Sequence, residues 1–145
     1  MYDEGFEACT QRGYHCQYSF CMRKSRNQRF DFFLQEMNDA IANILKYTEG
    51  MSYNDFTTNQ MVQDAVIRNF EIIGESVKHV PYKFQRSNKQ IPWQHMFDLR
   101  NFIVHEFFDV DDEILWQIIY RDLEKNLKDL KEIQEKLTHE VFGND

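Results

Sequence analysis

The chain is poor in the residues that interrupt regular structure. Five glycines and two prolines in 145 residues are too few punctuators for a turn-rich sandwich or barrel. No apolar run approaches the roughly 20 residues needed to span a bilayer. There is no glycine-rich phosphate loop, no internal repeat and no stretch with strand alternation. The three cysteines, Cys9, Cys16 and Cys21, crowd into the N-terminal tail. An odd count outside the core implies no disulfide framework. Together with His15 they match no paired-ligand spacing, so neither a metal nor another cofactor is expected. The opening residues, Met1-Tyr-Asp-Glu-Gly-Phe6, lack the basic start and apolar stretch of a secretion signal. The expected location is the cytoplasm.

What the chain does have is apolar and aromatic side chains, 42% and 15% of the total. That is enough for one domain around a single core. The net charge is −7, but it is unevenly spread. Residues 1–29 carry five basic residues (Arg12, Arg23, Lys24, Arg26 and Arg29) against three acidic ones, which leaves the remainder at −9. So acidic a domain does not hold a polyanion over a broad face. Any nucleic acid it handles must enter a cleft with a few well-placed cations. The same acidity suits a basic protein partner.

Residues 1–27 show no apolar period and read as a poorly ordered extension; residues 28–140 read as the domain. Phe30, Phe33, Leu34, Met37, Ile41, Ile44 and Leu45 recur at helical spacing and predict a helix ending near Tyr47. Gly50 supplies the stop. Ser52, Asn54 and Asp55 mark a turn or short helix. Met61 through Val77 predict a strongly apolar helix over about 58–79, ended by Pro81. A polar loop, Gln85 to Gln90, precedes a third helix that starts near Pro92 and runs to about Phe108. Acid at Asp109, Asp111, Asp112 and Glu113 opens a fourth helix carrying Ile114 to Leu137, with lysines loading its far end. The expected fold is all-α: an antiparallel four-helix bundle with short extra helical turns.

The third helix holds the candidate chemistry. At about 100° per residue, Arg100, Asn101 and His105 fall within an arc of about 140°. They sit among Phe102, Ile103, Val104, Phe107 and Phe108, where unpaired polar groups are costly to bury. They must be paired internally, or line a cleft or an interface. A neutral imidazole can take a proton from a ribose 2′-hydroxyl. A guanidinium can hold phosphate bidentately and stabilise the charge gained in the transition state. No metal is needed for that internal attack, and its product carries a 2′,3′-cyclic phosphate. Asn101 would orient the imidazole or bind phosphate. The bland alternative is that these are satisfied core or surface residues. Asp64, Arg68, Glu71 and Glu75 follow helical steps and read either as a solvated stripe or, for Glu71 or Glu75, as a partner of Arg100 across the bundle. His79 reads as a helix-end residue, Trp93 and His95 as first-turn packing, and His139 as part of the C-terminal fray.

Four blocks, Tyr47-Thr-Glu-Gly-Met-Ser52, Gln63 to Glu75, Ile91-Pro-Trp93 and Arg100-Asn-Phe-Ile-Val-His105, together resemble the HepT-like branch of the HEPN superfamily over about residues 28–138. The resemblance implies a homodimeric helical bundle acting as a toxin endoribonuclease of a toxin–antitoxin module. It further implies a cognate antitoxin that is a nucleotidyltransferase of the MntA type, and an RNA-cleaving site shared across the dimer. The family motif is Arg, four residues, His, one residue, Tyr. Arg100 and His105 match its first two elements, and Asn101 is the commonest residue after the arginine. Phe107 stands where the family has the tyrosine whose hydroxyl the antitoxin modifies with AMP. A phenylalanine has no oxygen to accept the nucleotide. The cleaving pair is intact, whereas control by AMP transfer at this position is lost. The departure leaves open a different role, a non-catalytic helical partner that docks a nucleotidyltransferase and positions its substrate.

Overall fold

A computed structural model describes residues 26–106 and 110–142. The N-terminal extension with its cysteines, and Phe107 to Asp109, lie outside the described residues. Among the described residues seven helices follow one another: α1 Arg26–Tyr47, α2 Tyr53–Thr58, α3 Gln60–Val77, α4 Tyr82–Ser87, α5 Trp93–His105, α6 Asp112–Arg121 and α7 Leu123–Phe142. Among the described residues every regular element is helical, as the periodicity predicts. No described helix is long and apolar enough to cross a membrane.

α1 buries Leu34, Met37, Ile41 and Ile44 completely, the one-sided stripe of an amphipathic helix. It ends in a turn closed by the Thr48 N–H on the Ile44 carbonyl. Gly50 at φ +70° takes the left-handed conformation that side chains resist. Ser52 and Asp55 then form a reciprocal capping box that starts α2, and the Asn59 side chain caps α3 by accepting from the Val62 N–H. These caps satisfy N–H groups a helix start cannot pair by itself. α3 is the central element: it packs against α1 on one side and α5 on the other, and α7 completes the layer against α1.

Two expectations need correction. The segment read as a polar loop from Gln85 is partly helical. Pro81, at φ −58°, presets the backbone for α4, and the Gln85 amide donates to the carbonyls of Val77, the last residue of α3, and of Val80 just beyond it. The fourth helix is two, divided at Asp122, where φ widens to −114°. Its acidic start holds: Asp111 accepts from the Glu113 N–H at 2.8 Å. The core closes around Phe56, Val66, Ile91, Ile103, Leu115 and Leu130, all fully buried. Ile103 is the pin that fixes how α5 rolls against α3, and thereby which of its residues face outward.

Candidate active site

α3 and α5 approach so closely at Gly74 that an added Cβ would meet Arg100 Cβ at 2.1 Å and the Met96 carbonyl at 2.7 Å. Glycine inside a helix costs roughly 1 kcal/mol against alanine. Here it admits the stem of Arg100 flat against α3. That contact sets the origin of the guanidinium. Its far end is held twice: Nη1 donates to Asn101 Oδ1 at 3.0 Å, and Nη2 meets Glu75 Oε2 at 3.2 Å. The same Glu75 oxygen receives Lys78 Nζ at 3.0 Å. The Lys78 hydrogen bond, followed by the charges of Lys78, Arg100 and His79, holds the Glu75 carboxyl below the usual carboxylate range.

Of the two carboxylates expected near Arg100, Glu75 is the one within reach. Glu71 is paired instead with Arg68 at 3.1 Å, one turn away on its own helix. The Arg100 side chain is 25% exposed, so its guanidinium is oriented by protein yet open to solvent. His105, the last residue of α5, is exposed and lies five residues on, about 7.5 Å along the axis. Its imidazole makes no hydrogen bond to another described residue. Val104 and Phe102 beside it are 45% and 40% exposed, a conspicuous amount of apolar surface next to a polar group.

The remaining histidines have other settings. His79 stacks on Phe33 with ring centroids 4.0 Å apart, rather than merely capping a helix end. Trp93 is buried, its indole N–H donating to the Asn88 carbonyl at 2.9 Å, while His95 is exposed at the mouth of a cavity. Gly74 and Lys78 went unmarked in the sequence. The one available signal was a glycine inside an otherwise apolar helical run, Ile72-Ile73-Gly74.

Residues 37–142 match the model of the HepT-like ribonuclease family, described as Ribonuclease HepT-like. The chain belongs to that family. The HepT-like relatives include one from Thermococcus cleftensis named Probable ribonuclease HepT, 36% identical over 91 residues that cover 63% of this chain and 83% of the relative. A Methanocaldococcus jannaschii protein named Putative RNase MJ1380 is 33% identical over 99 residues, 68% of this chain and 91% of its own length. A second protein of that organism is named Gamma-glutamylcyclotransferase and putative RNase MJ0434. It is 33% identical over 105 residues, and the chain spans only 47% of it. No solved structure matches significantly. Arg100 and His105, the pair expected from the sequence, both lie on α5 within the matched region, and Phe107 falls outside the described residues.

Proposed function

We propose that this HepT-like chain is the toxin of a toxin–antitoxin module, a metal-independent endoribonuclease that cuts RNA with Arg100 and His105. The observation that carries the reading is the twofold tether of Arg100, to Asn101 and Glu75, on a helix whose next turn ends in an exposed, unbonded imidazole. A cation fixed before substrate arrives stabilises transition-state charge without reorganising. In the reaction, the His105 imidazole takes the 2′-hydroxyl proton and the 2′-oxygen attacks phosphorus. The bond to the 5′-oxygen breaks, and that oxygen takes a proton from a second imidazole. Arg100 holds the non-bridging oxygens throughout. The products are a 2′,3′-cyclic phosphate and a free 5′-hydroxyl.

One imidazole cannot stand on both sides of the phosphorus. The second comes from another copy of the chain, in a homodimer whose two-fold axis passes through the cleft. The exposed Val104 and Phe102 support an interface close to the site. With Phe107 unable to accept AMP, the cognate nucleotidyltransferase of MntA type acts by covering the cleft. The non-catalytic reading, in which the chain only docks that enzyme, draws on the same phenylalanine.

The deciding experiment incubates purified protein with end-labelled RNA in chelator. Fragments with cyclic-phosphate ends should form with the parent chain and not with His105→Ala, and Arg100→Ala should release the growth arrest caused by the parent. Intact RNA with every variant, beside a stable complex with the nucleotidyltransferase, would establish the docking role instead.

A further inference from the structure

On the flank of α5 away from Arg100 lies a cavity of about 300 Å³ that the cleavage reaction does not use. Its floor is apolar, built from Phe70, Ile73, Met96 and Leu99. Asn126, from the first turns of α7, lines it and is 7% exposed. The Asn126 backbone N–H is held by the Asp122 carbonyl at 3.0 Å. Its side-chain amide makes no hydrogen bond to another described residue. The residue is nine-tenths buried and lines the cavity, so its amide donor and acceptor are left to water or to a ligand that enters. The mouth carries Lys125 and His95, with Gln90 and the Asp122 carboxylate also in the lining; neither Lys125 nor His95 is in an ion pair among the described residues.

The position of the cavity relative to the proposed cleavage site follows from helical geometry. Around α5, His95 is about 80° from His105 through the exposed side, Leu99 about 120° and Met96 about 180°. His95 and Phe102, seven residues apart, share one exposed stripe, and Phe102 lies about 60° from His105. A strand engaged at His105 can therefore run back over the exposed side of α5, past the open ring of Phe102, to the mouth beside His95. The axial distance from His105 to His95 is about 15 Å, the reach of a few nucleotides. The Asp98 carboxylate on that side accepts from Gln94 at 2.8 Å, so part of its hydrogen-bonding capacity is already taken up within α5.

We propose that this cavity receives an unpaired nucleobase. A base is flat and largely apolar in its body, which suits the floor. Its edge offers adjacent donor and acceptor groups, which an asparagine amide meets in pairs. Lys125 and His95 at the mouth meet the phosphate attached to it. An apolar side chain from a protein partner would fill the floor but leave the amide of Asn126 unpaired. Recognition of splayed-out bases by an apolar wall and a hydrogen-bonded edge is the usual route to sequence preference in single-stranded RNA. The base would come from a free nucleotide or from the RNA itself. As a means of choosing where the RNA is cut, the proposal rests on the cleavage reading; as a base-binding site it does not.

The test uses the His105→Ala protein, so that RNA survives the measurement. Saturation-transfer NMR with adenosine, guanosine, cytidine and uridine monophosphates reads the free-nucleotide arm. Titration with a short unstructured RNA, and with the same RNA carrying abasic sites, reads the chain arm. One base should bind in preference, and Asn126→Leu, which keeps the branched shape but has no polar atom, should weaken that binding at least tenfold at an unchanged thermal midpoint. Asn126→Asp, which replaces the donor by an acceptor, should change the preferred base. Weakening by abasic sites assigns the cavity to RNA; nucleotide binding with no abasic effect assigns it to a free nucleotide. Either supports the proposal. It is overturned if no nucleotide binds and abasic RNA binds as tightly as intact RNA, or if Asn126→Leu changes neither arm. Because no cleavage is read, failure here leaves the ribonuclease assignment standing, and loss of the ribonuclease assignment leaves this test valid.

Discussion

Gly74 and Arg100 are in a contact that no side chain on Gly74 would permit, since a Cβ added there would overlap the Cβ of Arg100. The close approach of α3 and α5, and hence the starting point of the Arg100 guanidinium, depends on a missing methyl group. Backbone as well as side chain lies in the way, since the Met96 carbonyl is also within 2.7 Å. The helices must separate for anything larger to fit.

Gly74→Ala should therefore destabilise the fold by about 1–3 kcal/mol, the range for overpacking in a tight interior, despite the better helix propensity of alanine. Urea denaturation measures this directly. Cleavage should fall further than the stability loss explains, because Arg100 is carried away from Glu75. A variant as stable and active as its parent would show that the interhelical contact is looser than described.

Arg100→Lys tests whether charge alone suffices. Lysine keeps the cation but cannot reach Asn101 and Glu75 from two fixed nitrogens while also forking onto a phosphate. We expect a rate reduced about a hundredfold or more, the scale for losing one aligned donor to a transition-state oxygen, with an unchanged circular dichroism spectrum. Parent-like turnover by the lysine variant would argue for a generic electrostatic role.

Glu75→Gln should strengthen RNA binding in the His105→Ala background, because phosphate no longer competes with the carboxylate for Arg100. The gain should be modest, about fivefold at most, since a half-exposed pair is worth about 1 kcal/mol or less. The effect should also depend on pH. The Glu75 carboxyl is held low, first by the Lys78 hydrogen bond. Its stabilising contribution is thus present at neutral pH, above the ordinary carboxylate value, and is lost as the pH falls through the depressed folded value. Parent and Glu75→Gln stabilities, measured by thermal melts across an acid series, should converge at the acid end.

Phe107→Tyr restores the hydroxyl that the family motif carries. Incubated with the cognate nucleotidyltransferase and labelled ATP, the variant should take up label and lose RNA cleavage, while the parent stays unlabelled. Labelling of the parent would point to an acceptor elsewhere in the chain.

The helical class and most of the core were legible from periodicity, because a stripe such as Leu34, Met37, Ile41 and Ile44 encodes its own burial. Helix ends were less legible. α4 depends on Gln85 reaching back to the end of α3, and the break at Asp122 interrupts an apolar repeat that continues through it. Local pattern carries no trace of either.

For the site, the sequence by itself determined that α5 presents an arginine, an amide and an imidazole within one arc, since helical geometry makes spacing into direction. It also carried the resemblance to the family, within which Phe107 stands where a tyrosine is expected. Only the tertiary structure decided that Glu75 rather than Glu71 meets Arg100, that Gly74 makes room for it, and that the Asn126 amide lines a cavity without a partner. Those are relations between helices, set by how closely and at what roll they pack, and single-helix periodicity is blind to both.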